Sequence, residues 1–203
     1  MLRDRAASIR RDAQLMTRLA AGEANAAREI VHSYMRPITK FAAYLLKDAV
    51  EAEDIANEAI MRLWRTADTW RPDGMISGWL RRSVYTQCID RIRKSGRMID
   101  DDSATALNTA ANGPSPESAA FGGEIGIAIE AALEVLPERQ RAAVTLATID
   151  GLTGQEIADV LDISAVAVES LLARGRRTLR QALEPIYRDV TSAAQPKTRK
   201  MAT

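Results

Sequence analysis

Two stretches of this chain are dense in guanidinium groups. Residues 79–97 carry Arg81, Arg82, Arg91, Arg93, Lys94 and Arg97 against one acid, Asp90, and residues 173–180 carry Arg174, Arg176, Arg177 and Arg180 with no acid at all. Clustered cations of this kind do no bond chemistry. They neutralise phosphates, and that term supplies most non-specific affinity for nucleic acid. A third stretch has the opposite sign: Glu51, Glu53, Asp54 and Glu58 form an acidic turn and a half of helix. A formal net charge of +1 therefore hides two basic patches and one acidic patch, and points to partners of both signs.

Other chemistries are thinly provided for. Cys88 is the one cysteine and His32 the one histidine, so an intrachain disulfide is impossible and a Cys/His zinc site has too few ligands. The same scarcity removes a nucleophile–His site unless Cys88 and His32 meet in space, and Cys88 lies on an apolar helical face, where a structural thiol is the ordinary case. Gly122-Gly123 is isolated from any strand or helix start, so it is no phosphate loop. The carboxylates have no partner that marks a catalytic pair, and the sequence argues against an enzyme and against a bound cofactor or metal. With 46% apolar and 27% charged residues over 203 positions, the composition is that of an ordinary globular protein of one large or two small domains. No apolar run approaches the roughly 20 residues that cross a bilayer, and the basic start MLRDRAASIRRD lacks the apolar stretch of a secretory signal. A cytoplasmic chain without membrane insertion is expected.

The elements that must carry these patches are helices. Period-2 alternation is absent and helical periodicity is general, so an all-α fold is expected, in two small helical domains joined by a flexible linker. After an N-terminal extension (1–11), the spacing predicts helices over Asp12–Ala20, Asn25–Met35, Pro37–Lys47, Glu51–Thr66 and Gly78–Lys94, a first domain over 12–95. In the fourth of these Ala52, Ile55, Ala56, Ala59, Ile60 and Leu63 share one side, and Asp54, Asn57, Glu58, Met61 and Arg62 the other. In the fifth, Leu80, Val84, Cys88 and Ile92 oppose the arginines. Residues 96–124, rich in Ser, Ala, Asn, Gly and Pro without periodicity, read as an interdomain linker. A second domain follows over 125–184, with helices near Ile125–Val135 and Pro137–Ile149, and the pattern fades into a mobile tail over 185–203.

The end of the second domain is a helical hairpin. Thr153-Gly-Gln-Glu156 is a capping box, Asp162 suits the left-handed residue of a sharp turn, and Ser164 can cap the next helix. From there Val168, Leu172, Gly175 and Leu179 repeat toward a core. Two helices about a short turn are the grammar of a helix-turn-helix, although a plain helical hairpin would share it. The outward edge of the second helix offers Ala165, Val166, Glu169 and Ser170, which can meet a thymine methyl, cytosine N4 or a phosphate. Its positive charge arrives later, at Arg174, Arg176, Arg177 and Arg180.

Three segments in order, AEDIANEAIMRLW (52–64), WLRRSVYTQCIDRIRK (79–94) and LPERQRAAVTLATIDGLTGQEIADVLDISAVAVESLLARGRRTLR (136–180), resemble the extracytoplasmic-function group of bacterial sigma factors, over residues 12–184. The resemblance implies a non-enzymatic, stress-response specificity subunit with core RNA polymerase, promoter DNA and an anti-sigma factor as partners. It implies polymerase docking through Asp54, Asn57, Glu58, Met61 and Arg62. It implies minus-10 contacts from Trp70, Arg71, Trp79, Arg81, Arg82, Thr86, Arg91, Arg93 and Lys94, although the two tryptophans suit a core better than a stacking platform. The hairpin residues just named would take the minus-35 element. Departures from the family pattern are Glu169 and Leu171 where Lys and Arg are frequent, Ala167 for Thr, Tyr85-Thr86 for Arg-Asn, and Asn57 for Gln; they bear on promoter identity. Two other readings are a sigma-like decoy for an anti-sigma factor, favoured by Glu169, and an independent helix-turn-helix regulator, which would ordinarily dimerise on a palindrome.

Overall fold

The computed structural model describes residues 2–71, 74–95 and 124–194. Among them there is no strand. The helices are α1 (Leu2–Ala20), α2 (Ala24–Leu46), α3 (Ala49–Arg65), α4 (Ile76–Lys94), α5 (Glu124–Glu134), α6 (Glu138–Thr148), α7 (Gly154–Leu161) and α8 (Ala165–Ala194), with a short 3-10 turn at Ala67–Thr69. The first four make one lobe and the last four another. The linker expected over 96–124 lies outside the described residues except for Glu124, as does the tail beyond Ala194.

Three boundaries differ from expectation, each for a physical reason. The stretch read as an N-terminal extension is helical from Leu2 and continuous with the helix expected from Asp12. Its Ala and Arg content favours helix, and Arg5 reaches Glu156 of α7 at 3.5 Å. The two helices expected either side of Pro37 are one, α2. A proline inside a helix costs about 3 kcal/mol, but Ala26, Ile30, Ile38, Phe41, Ala42 and Leu45 stay in phase across it and are all buried. Ser33, whose carbonyl loses its helical donor, is exposed to water. The same holds for α8, which runs through Pro185 with Gln181, four residues earlier, exposed.

The hydrophobic core does not stop at the lobe boundary. Phe41, Ile55, Leu63, Leu80, Val84 and Cys88 of the first lobe belong to the same buried cluster as Leu146, Ile157, Leu161 and Val168 of the second. Helix α7 packs on α4, and α6 on α2. The two helical domains expected from sequence are these two lobes, and buried residues of both fall in one cluster.

Arg141 fixes that seam. It is 3% exposed, and every N–H of its guanidinium is used on backbone carbonyls, four at helix ends and one, Leu136 O, in the α5–α6 turn. Nε donates to Leu133 O (2.8 Å), Nη2 to Glu134 O (3.1 Å) and Leu136 O (2.6 Å), and Nη1 to Tyr44 O (3.0 Å) and Leu45 O (3.5 Å) across the seam. One buried cation thus satisfies the last carbonyls of α2 and α5, where the helix dipoles favour positive charge. Burial pulls its pKa down, partly offset by Glu138 and Glu134; an arginine stays charged regardless.

Candidate polymerase and nucleic-acid interfaces

Helix α3 is started by Asp48, whose carboxylate accepts from Glu51 N–H at 3.0 Å. Its apolar side is buried as expected, which turns Asp54, Asn57, Met61 and Arg62 to solvent. Glu58 anchors the edge of this face: its Oε1 accepts from Arg62 Nε at 3.0 Å and Arg65 Nη1 at 3.5 Å. The bond from Arg62, with help from Arg65, holds the Glu58 carboxyl below its ordinary range. Sequence reasoning missed Trp64. It is exposed beside Met61, at 37% and 42%, and its signal was the spacing: three residues after Met61 and out of phase with the buried stripe. An acidic rim thus surrounds an exposed Met and Trp on this face of α3.

Helix α4 buries Leu80, Val84, Cys88 and Ile92 and leaves Arg82, Thr86, Arg91, Arg93 and Lys94 exposed. Burial pushes the Cys88 thiol up to about 12, with Glu51 adding to the shift, so it is unreactive near neutral pH. One expected DNA residue is misplaced. Arg81 is buried at 9%, donating through Nε to Asp150 Oδ2 at 2.8 Å and through Nη2 to Oδ1. The helical-wheel reading put it with the outward arginines, but α7 covers that part of α4. Arg82 pairs with Asp162 of the α7–α8 turn at 3.0 Å and remains half exposed, and Arg91 reaches Glu51 at 3.5 Å.

Ahead of α4, Trp70 and Trp79 meet edge-to-face with centroids 6.5 Å apart and pack against the core. They are bound to each other rather than free as stacking platforms, and Arg71 beside them is exposed. The first N–H of α4, on Ile76, is taken by Asp12 Oδ2 of α1 at 2.8 Å, and Tyr34 donates to Asp12 Oδ1 at 3.2 Å. Burial raises the Asp12 pKa against the lowering effect of these two donors and of Arg11. The same burial, with the Asp12 charge, raises Tyr34.

The hairpin is built as its residues require. Thr153 accepts from Glu156 N–H at 3.3 Å, and Glu156 accepts back from Thr153 N–H at 2.9 Å. Burial pushes the Glu156 carboxyl up, but the Thr153 donors and Arg5 outweigh it and leave it lowered. Asp162 is left-handed, φ 58° and ψ 48°, and Ser164 Oγ accepts from Ala167 N–H at 3.2 Å. Beyond the turn Ala165, Val166, Glu169 and Ser170 line an exposed edge, Val166 at 76%. Arg176, Arg177 and Arg180 are exposed further along and Arg174 is half-buried. Leu171 is buried at 6% in the core cluster, so it does not face DNA and its lack of charge takes nothing from the reading edge. Gly175 lets α8 lie close on α6: a Cβ there would come within 2.7 Å of Val144 Cγ2.

Two all-α lobes, one ending in a helix-turn-helix and the other carrying a basic helix and an exposed acidic-apolar strip, have the layout of a two-part transcription factor. Comparison with known proteins gives the family. Residues 30–98 match Sigma-70 region 2, and residues 127–179 match Sigma-70, region 4. The chain is 31% identical over 173 residues to ECF RNA polymerase sigma factor SigW of Bacillus subtilis, spanning 81% of this chain and 92% of that protein. It is 29% identical over 186 residues to RNA polymerase sigma-H factor of Pseudomonas aeruginosa, spanning 88% and 96%. Among solved structures its fold is similar to the sigma factor RpoE in complex with the anti-sigma factor NepR from Bartonella quintana (TM-score 0.63, 21% identity, 77% of this chain and 96% of that one). It is also similar to CnrH in complex with the cytosolic domain of CnrY (TM-score 0.62, 21% identity, 86% and 97%). The chain belongs to the ECF RNA polymerase sigma factors.

Proposed function

We propose that this chain binds core RNA polymerase, directs it to a two-part promoter and helps to open the duplex there, working in the cytoplasm and without catalysis of its own. The observation that carries this reading is the α3 face, where Asp54, Asn57, Glu58, Met61, Arg62 and Trp64 form one exposed strip on a helix whose other side is core. Polymerase would dock there. The exposed Thr86, Arg91, Arg93 and Lys94 of α4, with Arg71 ahead of it, would follow the backbone of the opened minus-10 strand, where extruding a base costs a few kcal/mol. Duplex at minus-35 would meet Ala165, Val166, Glu169 and Ser170, held by Arg174, Arg176, Arg177 and Arg180. An anti-sigma factor is the expected antagonist. The decoy reading rests on Glu169 alone once Leu171 is counted as core.

The test is retention of core RNA polymerase by the immobilised chain, followed by transcription from a fragmented genomic library. Retention with new start sites that share a two-part upstream motif is expected. Retention without new starts would favour the decoy, and no retention would favour an independent DNA-binding regulator.

A further inference from the structure

Resting on the promoter reading set out above, we propose that Glu169 makes the minus-35 edge of α8 a cytosine selector. Val166, one turn before it, takes a thymine methyl, so the strand that is read is pyrimidine at both positions.

The first turns of α8 are held from two sides. Ser164 Oγ accepts from Ala167 N–H, and Val168 and Leu171 are buried in the core. That leaves Ala165, Val166, Glu169 and Ser170 outward. Paired hydrogen bonds to guanine come from Arg or Lys, and to adenine from Asn or Gln; this edge has none of these. It offers one carboxylate, one hydroxyl and methyl groups. Three and four residues from Glu169 along α8 stand Ala165, Val166, Leu172 and Ala173, so no cation of its own helix is placed to occupy the carboxylate. The arginines from Arg174 onward lie more than a turn away and are assigned to phosphates.

A carboxylate can only accept. In the major groove guanine shows N7 and O6 and thymine shows O4, all acceptors, and both bases repel it. Adenine N6 and cytosine N4 donate. Adenine sets its N7 lone pair beside the amino group, where cytosine has a C–H, so cytosine is the base that a carboxylate meets without opposition. Exclusion of the other three matters as much as the bond gained. Val166 is 76% exposed and has no hydrogen-bonding side chain; its methyl groups suit the thymine C5-methyl. Three residues of helix advance about 4.5 Å, against about 3.4 Å per base step, so the two bases are neighbours or one step removed.

The experiment uses the full chain with core RNA polymerase. A promoter recovered from the genomic library has its minus-35 region randomised on barcoded templates, and transcripts made with wild type, Glu169→Gln and Glu169→Ala are sequenced. Wild type should favour cytosine at one position by about five-fold or more over each other base, with thymine one or two steps away. Glu169→Gln should move that position to adenine, whose N6 and N7 match an amide. Glu169→Ala should flatten it and leave the thymine preference standing. A wild type with no cytosine position, or a cytosine that either variant leaves unmoved, overturns the assignment. Should wild type yield no promoter at all, random duplexes selected by the immobilised full chain carry the test. Cytosine selected by wild type and lost in Glu169→Ala then supports the base assignment while the sigma-factor reading falls; no such cytosine removes both.

Discussion

Asp12 shows how a buried carboxylate can be both needed and costly. Its oxygens serve Ile76 N–H and the Tyr34 hydroxyl, yet burial raises its pKa. A carboxyl raised in the folded state contributes most below its unfolded pKa, and that contribution is lost as pH rises through the folded value. Asn keeps an acceptor for Ile76 and offers Tyr34 a donor, so Asp12→Asn should be at least as stable as wild type at pH 7. The advantage of Asn over Asp should shrink toward pH ~4. Asp12→Ala orphans a buried N–H and should lose about 1–3 kcal/mol. Urea unfolding of the three proteins at pH 4.5 and 7 checks both statements; an Asn variant weaker than wild type at pH 7 would refute the first. Arg141 invites the opposite test. Lysine has fewer donors and no planar fork, and cannot reach helix ends in two lobes at once. Arg141→Lys should therefore lose about 2 kcal/mol or more, since hydrogen bonds from charged groups are worth roughly 1.5–3 kcal/mol each.

At the scale of the element, the α6–α8 crossing is the sharpest case. Gly175→Ala gains up to about 1 kcal/mol of helix propensity but drives a methyl into Val144, a stiff β-branched side chain 1% exposed. Overpacking typically costs about 1–3 kcal/mol, so a net loss is expected, relieved when Val144→Ala is added. Equal melting temperatures for wild type and Gly175→Ala would contradict the close approach. The sequence made the hairpin legible nearly residue by residue, because a capping box, a left-handed Asp and an N-cap Ser are local chemistry. The α3 face was legible for the same reason, its buried stripe being complete in one helix. The continuity of α2 was not. Pro37 is a local breaker, and its override depends on an apolar phase that only packing against α3 and α4 reveals. Arg81 was misread for a related reason: no periodicity within α4 can announce that α7 will lie over it. Asp12 gave no signal either, since the N–H it serves is 64 residues away.

For the whole molecule, DNA affinity should be set by charges on the open surface. Arg176→Glu with Arg177→Glu should weaken promoter binding by the polymerase complex and flatten its salt dependence by up to about 2 in the log–log slope, roughly 0.9 for each phosphate no longer neutralised. An unchanged slope would remove the later part of α8 from the DNA interface. Charge reversal at Asp54 and Glu58 should reduce retention of core polymerase while leaving the circular dichroism spectrum intact. The Arg141 bonds also tie the fold to the order of its synthesis. The carbonyl of Tyr44 is made 97 residues before the arginine that caps it, which at about 5–20 residues per second is a wait of roughly 5–20 s on the ribosome. Through that interval the seam face of the first lobe is bare. A ligand for that face meets the nascent chain before the second lobe exists to compete for it.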